Sequence, residues 1–293
     1  MLGYGTMPGI IFLFLLFFIP ESPRFLIQKG KDEKAFLILK RINGEEVAKK
    51  EAQEIKASIE VEQSSSVKEL VKPGLRMEMG VGIFLALFNQ VIGMNAVTYY
   101  GPDIFRSVGF ENNTEFLATS IIGSVQVVFT ILAIFLIDRL GRKKLMAIGS
   151  SLMAVFMLLI GSVFFFEPAN AGVLLIILIA GFTASFCVSM GPIPWIMIPE
   201  IFPNHLRAKA VGIATIFLWG ANWAIGQFTP VLINNNMGGA FTFWMFAVIN
   251  VICFIFVMTI VPETKNKTLE EIGQLWKTKE QLKKEKKAQE EIA

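Results

Sequence analysis

The sequence has little of the side-chain chemistry that enzymes use. It contains one histidine, His205, and two cysteines, Cys187 and Cys253, among 293 residues. Both cysteines fall inside long apolar runs, where a disulfide is not expected, so they are interpreted as small packing residues. These runs contain no Ser/His/Asp constellation and no cluster of metal ligands. The sequence therefore predicts neither an enzyme nor a metal site, and no cofactor.

Charged residues are also scarce, at 17% of the chain, whereas apolar residues make up 54%. The apolar residues form seven stretches, and each stretch from the second onward reaches the roughly 20 residues that a membrane-spanning helix needs. The stretches are 4–20, 80–105, 117–137, 145–166, 172–199, 210–233 and 240–261. Backbone groups in lipid must be paired within their own segment, so these stretches are predicted to be helices.

Basic residues are nearly absent from every second connection between the stretches. All 27 Lys and Arg residues except Arg106 lie in four segments. These segments are 21–76, 138–144, 200–209 and the tail after residue 261. This alternation is the positive-inside pattern of a multi-pass membrane protein, so all four segments are predicted to be cytoplasmic. The net charge of +3 reflects that topology and does not indicate nucleic acid binding.

The first stretch lacks the basic segment and the cleavage site of a signal peptide. It is predicted to be a transmembrane helix entered partway and stopped at the membrane face by Pro20 and Pro23. We therefore interpret the chain as a fragment. Its predicted parts are a transmembrane helix at 1–20, a cytoplasmic helical linker at 21–76, a six-helix bundle at 77–261 and a cytoplasmic tail at 262–293.

The linker is long enough to contain helices of its own. Apolar residues at helical spacing predict one short helix within 36–42 and a second within 47–59. Residues 63–66 are predicted to be a flexible return to the membrane. Two glutamate–lysine pairs at i,i+4 spacing support the second helix: Glu45 with Lys49, and Glu46 with Lys50.

Three carboxamides, Asn89, Gln90 and Asn95, lie in the second stretch. Such groups are costly at membrane depth unless they face a wet cavity or one another. An amide donates and accepts hydrogen bonds, which suits a polyhydroxylated ligand, but hydrogen bonding between helices explains the residues equally well. Gln90 and Asn95 lie about 140° apart on an ideal helix. They can line one cavity only if the helix loosens at Gly93.

The fifth stretch contains Gly191, Pro192, Pro194 and Trp195. Two prolines so close together must break or bend a helix, and in membranes such breaks are tolerated where they line a cavity. Trp195 could stack on the apolar face of a sugar ring or belong to the interfacial aromatic belt. In other stretches Gln126, Trp219 and Asn222 are isolated candidates that can either line a cavity or pack.

Five motifs occur in a fixed order along the chain. They are Pro20-Glu21-Ser22-Pro23-Arg24, the N-Q-x-x-G-x-N-x-x-x-Y-Y run at 89–100, the Asp-Arg-Leu-Gly-Arg-Lys-Lys turn at 138–144, Gly191-Pro192-x-Pro194-Trp195 with Glu200-x-Phe202-Pro203-x-x-x-Arg207, and the Pro-Glu-Thr-Lys run from 262. Together they resemble the sugar porter branch of the major facilitator superfamily over nearly the whole chain.

The resemblance implies an all-α integral membrane fold, in which residues 1–20 are the sixth helix of a twelve-helix transporter and residues 77–261 are its C-terminal bundle. It implies transport of a monosaccharide or polyol by alternating access across the plasma membrane, within the lipid bilayer. None of the six complete spans has an ionisable residue in its middle, so proton symport and facilitated diffusion both stay open.

The resemblance also implies roles for particular residues. A sugar site is predicted from Gln90, Asn95, Gln126, Trp195, Trp219 and Asn222. Tyr99 and Tyr100 are predicted to lie at the extracellular gate, and Gly191, Pro192 and Pro194 are also predicted to be gate residues. A cytoplasmic charge network that locks the outward-open state is predicted from Glu21, Arg24, Asp138, Arg139, Arg142, Glu200, Arg207 and Glu263.

The chain departs from the family pattern at two positions. Asn89 stands where the family usually has glutamine, and Leu218 stands where it often has a polar residue, so the particular sugar stays open. Two other functions are considered: a membrane sugar sensor, which the short tail disfavours, and an inactive truncated fragment. Because half of an alternating-access machine is missing, this polypeptide alone is predicted not to transport.

Overall fold

The computed structural model describes residues 2–64, 66–72, 75–110, 114–233 and 238–265. Within these ranges the chain forms twelve α-helices and one 3-10 helix, without a strand. The predicted all-α fold is therefore confirmed. The chain divides into two compact units, Met1–Ser66 and Val67–Ala293.

The first unit contains α1 (Leu2–Leu16), α2 (Pro23–Gln28), α3 (Asp32–Asn43) and α4 (Glu45–Ser64). The two linker helices predicted from apolar spacing are present as α3 and α4. The helix α1 ends at Leu16, and hydrogen-bonded turns continue from it to the Ile19 amide, directly before Pro20, where the sequence predicts the stop. The linker helices share a small core formed by Leu26, Ile27, Ala35 and Ile59.

The ion pairs of α4 agree only in part with the prediction. Lys49 lies 3.6 Å from Glu45 as expected, but Lys50 pairs with Glu54 at 3.9 Å and not with Glu46. Lys40 donates a hydrogen bond to the Glu45 carboxylate, and this contact lowers the pKa of Glu45. The helix α4 continues to Ser64, so the first half of the predicted flexible return is helical.

The second unit begins with a 3-10 helix at Val67–Val71, whose Leu70 is buried in the main hydrophobic core. The compact unit thus starts before the predicted boundary at residue 77. Its helices are α5 (Arg76–Val91), α6 (Met94–Arg106), α7 (Thr114–Leu140), α8 (Arg142–Phe166), α9 (Ala171–Cys187), α10 (Ile193–Glu200), α11 (Asn204–Ile233) and α12 (Gly238–Thr259).

Five segments of the described chain are long and apolar enough to cross a membrane: the α5–α6 pair, α7, α8, α11 and α12. Two shorter helices are also apolar, namely α9 and the part of α1 from Thr6 to Leu16. The predicted interruption of the fifth stretch, 172–199, is present, because the backbone leaves the helix between α9 and α10. That interruption matters for the site.

The centre of the second unit is the close pairing of α8 with α12, supported by α9 on the other side of α8. Phe164 of α8 stacks on Phe243 of α12 at 5.2 Å between ring centroids. Glycines allow the approach: a Cβ on Gly149 would lie 1.9 Å from Ser189 Oγ, and one on Gly161 would lie 2.4 Å from the Trp244 ring. These contacts bring α8 close to α12 and to the turn that follows α9.

We expect Gly149→Ala to destabilise the second unit by about 1–3 kcal/mol, because the added methyl group overlaps Ser189 and the Ser185 carbonyl. Gly80→Ala is the matched control, since a Cβ at Gly80 meets no atom within 4 Å. Thermal unfolding of the purified protein measures both. Equal melting temperatures for the two variants would contradict the tight approach of α8 to Ser189.

Candidate functional site

The break between α5 and α6 is centred on Gly93, whose φ is +105°. This is a left-handed conformation, and an added Cβ would also lie 2.7 Å from Met157 Cε, so glycine is required. The predicted loosening of the helix is therefore present. Its result is that Asn95 Nδ2 donates to Gln90 Oε1 at 2.5 Å, although the two residues would lie on different faces of a continuous helix.

Gln90 is the hub of a hydrogen-bonded group of side chains that we call the amide cluster, formed by Asn89, Gln90, Asn95 and Asn222. Gln90 Oε1 also accepts from Asn222 Nδ2 of α11 at 2.9 Å. On its other side, Gln90 Nε2 donates to Asn89 Oδ1 at 2.6 Å. The cluster thus joins α5, α6 and α11 through two donors that converge on one oxygen.

Asn89 extends the amide cluster to the second helix break. Its Nδ2 donates to the Met190 carbonyl at 2.6 Å and to the Gly191 carbonyl at 3.3 Å. These carbonyls lie in the turn between α9 and α10, which also contains Pro192, and Pro194 occupies the first turn of α10. A proline is tolerated there because the first helical N–H groups have no intrahelical acceptor.

The two predicted gate tyrosines connect α6 to α11. Asn222 Nδ2 donates to Tyr99 Oη at 3.1 Å, and Tyr100 Oη donates to the Gly226 carbonyl at 2.6 Å. Pro230 lies four residues after Gly226 and has no N–H, so the helix itself leaves this carbonyl without its usual donor. Tyr100 therefore supplies a donor that the proline removes.

The remaining predicted site residues lie apart from these hydrogen bonds. The indoles of Trp195 and Trp219 are 49% and 60% exposed, and Trp219 precedes Asn222 by one helical turn. Gln126 of α7 lines a separate cavity of about 100 Å³ between α6 and α7, together with Thr98 and Thr119. Leu218 is buried in the hydrophobic core. The structure thus does not bring Gln126 into contact with the amide cluster.

A second polar group, which we call the charge cluster, consists of Arg142, Glu200, Glu263 and Thr264. The Glu263 carboxylate accepts hydrogen bonds from the Arg142 and Lys143 amides, each at 3.1 Å. These amides belong to the first turn of α8, whose free N–H groups and dipole favour an anion. Arg142 also donates to Glu200 at 3.3 Å, and Thr264 Oγ1 donates to the second Glu200 oxygen at 3.0 Å.

Other residues predicted for this network lie at its edge or outside it. Asp138 is 3.9 Å from Arg142 and is largely exposed, whereas Arg139 contributes its carbonyl to Lys265 Nζ at 2.7 Å. Arg207 donates at 3.4 Å to the Phe202 carbonyl within its own turn.

Two members of the predicted network belong to the first unit. Arg24 pairs there with Glu62, and Glu21 is exposed. Their predicted role therefore has no support from contacts within that unit.

Two site residues escaped the sequence predictions. The side chain of Asn89 was recognised as polar but not as the link to the second break, and Thr264 was not predicted to bind Glu200. The sequence offered one signal for Asn89, its position next to Gln90. Consecutive residues of a helix point in different directions, so Asn89 and Gln90 contact different parts of the protein.

Known proteins match this chain over most of its length. The family described as "Sugar (and other) transporter" matches residues 1–276. The chain belongs to this family. It is 61% identical over 276 residues to the arabinose–proton symporter of Bacillus subtilis, covering 94% of the chain and 59% of that protein. It is 36% identical to the D-xylose–proton symporter of Escherichia coli, covering 94% of the chain and 56% of that protein.

Solved structures show the same relation. An inward-open conformation of the xylose transporter of Escherichia coli superposes with a TM-score of 0.73 at 35% identity, covering 92% of this chain and 55% of that one. The fold is therefore that of the major facilitator superfamily, and the proteins of this family are multi-pass membrane proteins. The chain spans a little over half the length of the relatives it matches.

We expect Glu263→Ala to lower the stability of the second unit by about 0.5–2 kcal/mol, because the first turn of α8 loses its acceptor. Asp138→Ala is the control, since its exposed carboxylate at 3.9 Å from Arg142 should contribute less than about 0.5 kcal/mol. Chemical or thermal unfolding in detergent measures both changes. If the two variants unfold alike, Glu263 does not cap α8 in solution.

Proposed function

We propose that this chain forms the C-terminal half of a proton-coupled transporter that carries a pentose across the plasma membrane by alternating access. The proposal rests on the family membership, on the names of the relatives and on one observation above all: Gln90 Oε1 accepts hydrogen bonds from amides on two other helices, beside two helix breaks. Membrane transporters bind substrates at such breaks.

The amide cluster suits a ligand that must bind and then leave. Its members are paired with one another, so no amide has to stay unsatisfied in a low-dielectric region. A sugar hydroxyl that inserts between Gln90 and Asn222 can donate to one and accept from the other. Because this exchanges hydrogen bonds, each new bond contributes only about 0.5–1.5 kcal/mol, which favours release as well as binding.

Two half-exposed indoles supply the apolar part of the proposed site. Trp195 directly follows the second break, and Trp219 lies one turn from Asn222 on α11. Rings of this kind can cover the C–H face of a pyranose while the amides bind its hydroxyls.

Asn222 would couple the sugar to the gate. Its Nδ2 lies within hydrogen-bond distance of both Gln90 Oε1 and Tyr99 Oη. A sugar hydroxyl that takes over one of these contacts changes the other, and α6 carries Tyr99. Sugar binding would thereby alter how α6 lies against α11. At the opposite end, the charge cluster would hold α8 and α10 together in one state, with linker and tail in the cytoplasm.

The proton site is proposed to lie outside this chain. In the described spanning helices the carboxylates lie near helix ends, as Glu78 and Asp103 do. The amide cluster and its neighbours would bind sugar, and a carboxylate in the other half would take up the proton.

A fusion protein tests the proposed function. The part of the Bacillus subtilis arabinose–proton symporter that this chain does not match is placed ahead of residue 1. We expect saturable uptake of arabinose or xylose that a protonophore abolishes, whereas residues 1–293 alone give none, because half of the chamber is missing. An inserted, monodisperse fusion protein that takes up neither sugar would refute the proposal.

In the fusion protein we expect Gln90→Ala to raise the KM for sugar about tenfold, because a lost hydrogen bond with an unsatisfied partner costs about 1–3 kcal/mol. Gln126→Ala removes the same group from the separate cavity and should change KM less than about threefold. The concentration dependence of uptake measures both values. An unchanged KM in Gln90→Ala would remove Gln90 from the site.

A further inference from the structure

Asn250 of α12 is a fully buried amide that belongs to neither of the two polar groups described above. Its Nδ2 donates to the Ile92 carbonyl at 2.9 Å and to the Phe246 carbonyl of its own helix at 2.8 Å. Among the described residues, Asn250 Oδ1 has no hydrogen-bond partner. A buried acceptor without a partner is unfavourable, so helix stability alone does not explain an asparagine here.

Ile92 is the C-cap residue of α5, directly after Val91 and directly before Gly93. The first backbone bond of α6 runs from the Val97 amide to the Gly93 carbonyl, one residue later. The Ile92 carbonyl therefore receives a side-chain donor at the point where the helix is interrupted. Ile92 is 0% exposed, so solvent does not reach this position.

The same part of α12 also packs against Gly93 and leaves no room for a side chain there. A Cβ on Gly93 would lie 3.0 Å from Cγ of Phe246, which is one helical turn before Asn250. The α5–α6 break therefore contacts α12 in two ways, through the Phe246 ring and through the hydrogen bond from Asn250. Because Gln90 and Asn95 lie on either side of this break, the angle between α5 and α6 determines whether their amides meet.

We propose that Asn250 is a positioning residue for the sugar site: by binding the Ile92 carbonyl, it holds the α5–α6 break at the angle that lets Gln90 and Asn95 face one ligand. The role rests on the proposed function. Asn250 itself does not touch the sugar, since α12 reaches the break from the buried side.

The test uses Asn250→Leu, which keeps the branched shape of the side chain but removes the donor. The matched control is Thr242→Val, which removes another buried polar group of α12 whose hydroxyl bonds only to its own helix, at the Gly238 carbonyl. In the fusion protein we expect Asn250→Leu to raise the sugar KM about tenfold with Vmax little changed. Thr242→Val should leave KM within about twofold.

Two further readouts separate positioning from a general loss of structure. Hydrogen exchange of the backbone amides of residues 93–97 should accelerate in Asn250→Leu and not in Thr242→Val. In a Gln90→Ala background, Asn250→Leu should add less than about threefold to KM, because the group that it positions is gone. Two results would overturn the proposal. One is unchanged hydrogen exchange at residues 93–97 in Asn250→Leu, and the other is a double variant whose increase in KM equals the product of the increases in Gln90→Ala and Asn250→Leu.

The exchange measurement does not require transport. If the unsubstituted fusion protein takes up no sugar, the proposed function fails, while the comparison of Asn250→Leu with Thr242→Val still decides whether Asn250 holds the break. Should Asn250→Leu not fold, Asn250→Ala removes the same donor and undergoes the same measurements with the same expected results.

Discussion

A backbone carbonyl inside a membrane protein must have a hydrogen-bond donor. The second unit is organised around the carbonyls for which the helix itself supplies no N–H donor. A glycine break, a turn before Pro194 and a proline within a helix each leave a carbonyl without its usual helical N–H. The carbonyls are Ile92, Met190 and Gly226, and their donors are Asn250, Asn89 and Tyr100, respectively. Each donor comes from a different helix, so every irregularity is also a junction.

This arrangement explains why the candidate site and the irregular backbone coincide. The side chains that donate to these carbonyls lie next to the residues that would contact a sugar. Asn89 bonds to Gln90, and Tyr100 follows Tyr99. A change in the angle at one break therefore changes the hydrogen bonds of the amide cluster, because a single side chain links the two.

Much of the architecture could be predicted because it follows from short-range covalent chemistry. The spans follow from apolar length, the break at Gly93 from the freedom of glycine, and the interruption before Pro194 from the missing N–H of proline. What could not be predicted depends on which distant side chains meet. Gln126 lies in another cavity, since the packing of distant helices decides its position, and Arg207 donates to a carbonyl of its own turn.

The position of Glu263 has a practical consequence for labelling. Only a few residues separate the end of α12 from this carboxylate, which is bonded to the start of α8. A fluorescent protein or affinity tag attached directly behind α12 would pull that carboxylate away from α8, and the tag would change the structure that it was meant to report. Tags for this half of the molecule belong beyond Lys265, whose amide completes the turn on Glu263.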